Sequence, residues 1–264
     1  MSPFPRNEAA SALLGGADAL GADLGALYAL AQSSPHVFAS PLGPVSVFGS
    51  PRFLHRFVFF GPHACDDSWR LAFLAGFDHA DPRSSRALVS LVARLAASSE
   101  TGHALNLTFF PLVDVVGQAT GIGDRRLEAV PWDRDEPVEI GLLGRDARQR
   151  GYHGFVRVET GEPGEEMIVL QVRGPFSQAL SPDLELITSE ETRSFPVRFE
   201  SLAEAPGLPA GPLRLTQDLP QAPFELVLRI PGSWSAEAYQ HAAVTLLERF
   251  LSRYRAFLAY GQHL

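Results

Sequence analysis

Asp78 and Asp81 stand three residues apart where a short apolar run, Leu71–Gly76, gives way to a helical segment, with His79 between them. Carboxylates in that setting have two uses. They favour a helix N-terminus by capping it and complementing its dipole, or they offer hard oxygen donors to a cation. His79 could add a nitrogen ligand beside Asp78, although a loop histidine is more often a plain surface residue, and His153 reads the same way. Glu159 opens the acidic turn Glu159-Thr160-Gly161-Glu162-Pro163-Gly164-Glu165-Glu166, whose bland reading is a solvated loop. Arg229 is the least bland charge. It interrupts an apolar strand just before Ile230-Pro231, so it either faces solvent or has a buried partner.

Other chemistries are excluded by what is missing. All 22 basic residues are Arg and none is Lys, which removes Schiff-base and lysine-nucleophile mechanisms. That bias fits a GC-rich genome better than a physical need. The single cysteine, Cys65, permits neither an internal disulfide nor a thiolate metal cluster. No Gly-x-Ser-x-Gly elbow is present, and Cys65 has no recognisable partner motif, so a serine or cysteine hydrolase is unsupported. Gly121-Ile122-Gly123 lacks the third glycine and the strand-to-helix setting of a dinucleotide loop; it reads as a turn.

Composition sets wider bounds. The 264 residues, 45% hydrophobic and 20% charged, suit one sizeable globular domain. A formal charge of −8 argues against a nucleic-acid partner, which needs a basic footprint. The start Met1-Ser2-Pro3-Phe4-Pro5 lacks a signal-peptide pattern, and no apolar run is long enough for a membrane span. Asn106-Leu107-Thr108 matches a glycosylation acceptor inside a strand-like run and reads as accidental. The expectation is a soluble cytoplasmic protein.

The elements that must position these residues follow from periodicity. A helix is expected from about Ala17 to Gln32, with Leu20, Leu24, Leu27 and Tyr28 on one face. Strands are expected at Val45–Phe48, Phe53–Phe60 and Leu71–Gly76, the last buried on both faces. Ser84 can cap the next helix, whose Leu88, Leu91, Val92 and Leu95 fall at i, i+3, i+4 and i+7. The strand Leu105–Val113 then implies a parallel pair joined by a crossover. Gly117–Asp135 reads as a polar loop, Val138–Gln149 as a helix, and Phe155–Val158 and Met167–Val172 as strands. Residues 175–223 suggest short strands and loops, Phe224–Ile230 a last strand, and Ser235–Tyr260 a closing helix. No repeat or composition break divides the chain, so residues 1–264 read as one α/β domain, with residues 1–52 an N-terminal helix and short strands leading in.

In order, Phe59-Phe60-Gly61-Pro62, Leu71–Gly76 and Phe77-Asp78-His79-Ala80-Asp81-Pro82 resemble the signature of the zinc-carboxypeptidase superfamily, in its succinylglutamate desuccinylase/aspartoacylase branch. There a buried strand ends in a His and a Glu three residues apart that hold zinc. The resemblance puts Asp78 at the His position and Asp81 at the Glu position. It puts Asp114, after Leu105–Val113, at the Asn of a Pro-x-x-Asn-Pro-x-Gly motif, with Pro111 and Gly117 matching. Arg125-Arg126 are nearest to the pair that grips the substrate carboxylate, either of which could face the pocket. Glu159 falls where the third zinc ligand, a His, belongs. Arg229 falls at the Glu that serves as general base. The likeness runs from about Phe53 to the C-terminus and implies a mixed, mostly parallel open sheet with helices on both faces.

The substitutions change the implied chemistry. Three carboxylates are harder than the zinc set and suit magnesium, calcium or manganese better. Without a cation they would repel, and at least one would take up a proton. Arg229 offers another answer, since a guanidinium can neutralise carboxylates bidentately but cannot act as a base. The expectation is therefore a catalytically degenerate, cofactor-free protein that binds a small carboxylate or acyl-amino-acid through Arg126 and Arg229, with Arg125 and Asp114 nearby. The alternatives are an active hydrolase holding one divalent metal (Zn, Mn or Mg) on Asp78, Asp81 and Glu159, with Glu162 a candidate base, and a structural subunit. A homo-oligomer stays open.

Overall fold

The computed structural model describes residues 19–66, 68–123, 125–132, 134–162, 164–174, 195–202 and 223–261. Helix α1 (Ala19–Ser33) leads into β1 (Val37–Ala39), the hairpin β2 (Leu42–Val47) and β3 (Ser50–Leu54), and β4 (Phe57–Phe60). Then come β5 (Trp69–Leu74), α2 (Arg83–Ala97), β6 (Leu105–Phe110), α3 (Val115–Thr120) and α4 (Val138–Arg150). The rest is β7 (Gly154–Thr160), β8 (Ile168–Arg173), β9 (Val197–Leu202), β10 (Phe224–Ile230) and α5 (Ala236–Gly261). Of the expected segments, Met1–Pro5, the first residues of the N-terminal helix, and the 175–223 stretch apart from 195–202 and Pro223 lie outside the described residues.

Eight strands form one mixed sheet in the order β1-β4-β6-β5-β7-β10-β8-β9. The central run β6-β5-β7-β10 is parallel throughout, as is β8 with β9. β1, β4 and β8 run antiparallel to their inner neighbours. The core strands read as continuous apolar runs because both faces are covered. On β10, Phe224 packs toward Phe250 and Tyr254 of α5, while on β7 Phe155 turns the other way to Trp132 and Tyr152. The predicted stripe of α2 is buried: Leu88, Leu91, Val92 and Leu95 are all fully enclosed. Each such side chain contributes roughly 1.5–3 kcal/mol of transfer free energy. The α/β class and the mostly parallel sheet with helices on both faces match the expectation.

Three local readings change. Phe53–Phe60 is not one strand: it breaks at His55-Arg56, with β3 in the hairpin and β4 in the main sheet. Buried polar contacts cause the break, since His55 meets Tyr28 and Arg56 pairs with Asp146. Ser84 does not cap α2; its hydroxyl accepts from the Gly76 N–H at 3.2 Å, tying the helix to the end of β5. The polar stretch after Gly117 begins inside a short helix, α3, which Asp114 caps by accepting from the Gly117 N–H.

Candidate functional site

A cavity of about 550 Å³ opens at the C-terminal ends of β5, β7 and β10, three adjacent parallel strands. That is where open α/β sheets place ligands. The end of β5 supplies Phe77, Asp78 and Asp81, and the end of β7 supplies Glu159, Thr160 and Gly161. Arg229 enters from β10, and Arg125, Arg126 and Glu128 come from the loop beyond α3. Thus Asp78, Asp81, Glu159, Arg125, Arg126 and Arg229, far apart in the sequence, meet in one pocket that Glu162 and Glu165 also line. Gly76 makes the turn that presents Asp78. Its φ is +65°, and a Cβ there would come within 2.8 Å of the Pro111 carbonyl, so only glycine fits.

Each carboxylate has a different environment. Asp78 is exposed and accepts from the Ala80 N–H at 2.9 Å, a local turn bond. Asp81 is gripped by Arg83, which donates to Oδ1 from Nε and to Oδ2 from Nη2, both at 2.8 Å. Arg83 also donates to the carbonyls of Gly232 and Trp234, so one side chain fixes Asp81, the start of α2 and the loop beyond β10. Burial pushes the Asp81 carboxyl up, but its bonds to Arg83 and Thr160 outweigh that and hold it below its ordinary value. Glu159 is mostly buried and accepts from Arg157 Nη2; Arg229 lies 3.9 Å away on its other oxygen and 3.5 Å from Glu165. Burial, reinforced by the nearby Glu159 charge, raises the Glu128 carboxyl.

The arginine pair divides its work. Arg125 donates to Asp114 Oδ1 and to both oxygens of Glu139, two carboxylates buried beside the pocket. Asp114 is not a lining residue. It is almost fully enclosed and also lies 2.7 Å from His79 Nδ1, so it organises the loops behind the cavity. Arg126 lines the cavity on a left-handed backbone, φ +46°, uncommon for a side-chain-bearing residue. His153 lies away from the pocket: its ring packs at a tilt against Trp69, 4.4 Å between centres, and its Nδ1 accepts from the Arg70 N–H.

Sequence reasoning missed Arg157. It is 5% exposed in the middle of β7, donates to Glu159 and, at 2.9 Å, to Glu225 of β10, and stacks over the Phe77 ring. The signal was present as two lone opposite charges in apolar strands, Phe155-Val156-Arg157-Val158 and Phe224-Glu225-Leu226. Only the register makes them partners, because Glu225 pairs with Phe155 and so lies diagonal to Arg157 on one sheet face.

The residues present do not fit a metal centre. Asp81 and Glu159 spend their oxygens on guanidinium groups, and Asp78 stands exposed. Among the described residues no three His, Cys, Asp or Glu side chains converge as a ligand set.

The sequence matches no family model and no curated protein. The fold does have solved relatives. The metallo-carboxypeptidase of Burkholderia cenocepacia superposes with a TM-score of 0.63 at 14% identity, over 89% of this chain and 68% of that one. A candidate metallopeptidase of Shewanella denitrificans gives 0.63 at 15% identity over 90% of both chains. The metallo-carboxypeptidase of Pseudomonas aeruginosa gives 0.63 at 13% identity, over 88% of this chain and 68% of that one. Identities this low speak to architecture alone, and the architecture is that of the metallo-carboxypeptidases.

Proposed function

We propose that this chain uses the carboxypeptidase fold as a binding scaffold and does not run metal-activated hydrolysis. The observation that carries this reading is the state of Asp81 and Glu159, each already held by an arginine. Arg229, at the position the resemblance gives to the general base, cannot accept a proton at neutral pH. The order of the sequence landmarks favours the desuccinylase/aspartoacylase-like branch.

The ligand we propose is a small carboxylate, an acyl-amino-acid above all. Its carboxylate would meet Arg126 and Arg229, two of the arginines that line the cavity. The lining carries six carboxylates against three arginines, so the rest of the ligand should bring hydrogen-bond donors. An amide N–H facing Glu128 or Glu162 meets that need without a second charge.

The test is calorimetric titration with N-acyl amino acids, beside elemental analysis and hydrolysis assays with added Zn²⁺ or Mn²⁺. Binding that weakens about tenfold or more in Arg126→Ala or Arg229→Ala, with no turnover, supports the reading. The second reading is a metal-dependent amide hydrolase. It rests on the fold and on Asp78, an exposed lining carboxylate that accepts the local Ala80 N–H. Stoichiometric metal with turnover, both lost in Asp78→Ala/Asp81→Ala, would establish it and sink the first.

A further inference from the structure

We infer that Arg157 is the resident cation of this pocket, a built-in substitute for a metal ion that plugs a latent divalent-cation site formed by Glu159 and Glu225. The inference rests on the metal-independent reading above and adds the residue responsible for it. Arg157 is buried behind the lining residue Glu159, and its guanidinium spans two strands: Nη2 donates to Glu159 on β7 and Nη1 to Glu225 on β10. Its face packs 5.2 Å from the centre of the Phe77 ring, at the end of β5. One cation thus links Glu159 and Phe77, both on the cavity lining, to Glu225 near the start of β10.

The burial makes a counter-charge obligatory. Arg157 is 5% exposed and Glu225 is 4% exposed, and carboxylates so enclosed must be paired or protonated. A planar guanidinium meets the need with directed hydrogen bonds and no open coordination position. Its Nε is buried without a partner, so the fit to the two glutamates is made by the terminal nitrogens alone. Arg229 approaches Glu159 from the solvent side at 3.9 Å and is one-third exposed, which leaves Arg157 as the principal neutralising charge. Arg173 stands 3.9 Å from the second oxygen of Glu225 and completes the set of cations facing the pair.

Remove Arg157, keep both glutamates, and the pair retains Arg229 and Arg173 only at 3.9 Å, beyond hydrogen-bond reach, so a hard divalent cation would take up the direct contacts that Arg157 gave up. The experiment compares wild type, Arg157→Met and Arg157→Met/Glu159→Gln by titration calorimetry with Mn²⁺ and by thermal unfolding with and without Mn²⁺. The expected result is a single Mn²⁺ site in Arg157→Met, about tenfold or more tighter than any wild-type binding, absent from the double variant. The same variant should gain thermal stability with Mn²⁺ while wild type does not. A folded Arg157→Met that gains no Mn²⁺ site overturns the assignment and leaves the metal-independent reading standing. If Arg157→Met does not fold without metal, Mn²⁺ must restore its cooperative melt, and failure to do so also overturns it. Stoichiometric metal on the wild type, lost in Glu159→Gln, overturns both.

Discussion

The hydroxyl of Tyr28 lies 3.0 Å from Nδ1 of His55, joining α1 to the link between β3 and β4 inside the core. Burial pushes the His55 imidazole down to about 4 from an ordinary 6.5, so it is neutral in the folded protein near pH 7. The unfolded chain binds a proton there that the folded chain refuses. Stability from this site is therefore fully present above pH 6.5 and lost as pH falls toward 4, at about 1.4 kcal/mol per pH unit. Urea unfolding between pH 7 and pH 4.5 should show that slope. His55→Gln should flatten it, and an unchanged slope would assign the acid sensitivity to other groups.

Arg125 is expected to matter more to stability than to recognition. Removing it strands Asp114 and Glu139, both essentially enclosed. Losing one partner of a buried ion pair costs roughly 3–5 kcal/mol. Chemical denaturation of Arg125→Met should show a loss of that order. Arg126→Met should change the midpoint little, because Arg126 stands on the cavity lining.

Gly144 offers a test whose sign opposes helix propensity. An alanine in the middle of α4 should favour the helix by about 1 kcal/mol. Here its Cβ would come 2.4 Å from the carbonyl oxygen of Trp132, a backbone atom that cannot swing aside. Gly144→Ala should therefore lower the melting temperature. A higher one would mean that the Trp132 segment moves freely against α4.

Arg83 is a clamp that can be opened without touching the pocket lining. Arg83→Met removes the bidentate grip on Asp81 and the bonds to Gly232 and Trp234. Freed from that grip, the Asp81 carboxyl should titrate at a higher pH than in the wild type, which NMR of the labelled carboxyl carbon can follow. An unmoved titration would show that Thr160 and the backbone N–H of residue 83 sustain the low value.

Much of this was legible in the sequence because local periodicity and composition carry it. The α2 stripe at Leu88, Leu91, Val92 and Leu95 and the apolar runs of β5 and β10 need no partner to be recognised. The gathering of Asp78, Asp81, Glu159 and Arg229 was implied by the resemblance to the carboxypeptidase landmarks, and the four do line one cavity. Two kinds of feature escaped. Breaks caused by distant partners, such as the one at His55-Arg56, have no local signal, because Asp146 lies 90 residues on. Pairings set by register, such as Arg157 with Glu225, look like stray charges until the strands are laid side by side.

The strand order also governs when the pocket comes into being. Gly154 of β7 is paired on one side with Leu71 and on the other with Phe224, residues far away along the chain. Local contacts can form α1, the β2–β3 hairpin and α2 early, but neither flank of β7 can pair until a long loop has closed. Assembly of the cavity therefore waits on two long-range chain closures. A chain still emerging from the ribosome lacks the β10 side of the pocket, Arg229 included, until β10 has been made.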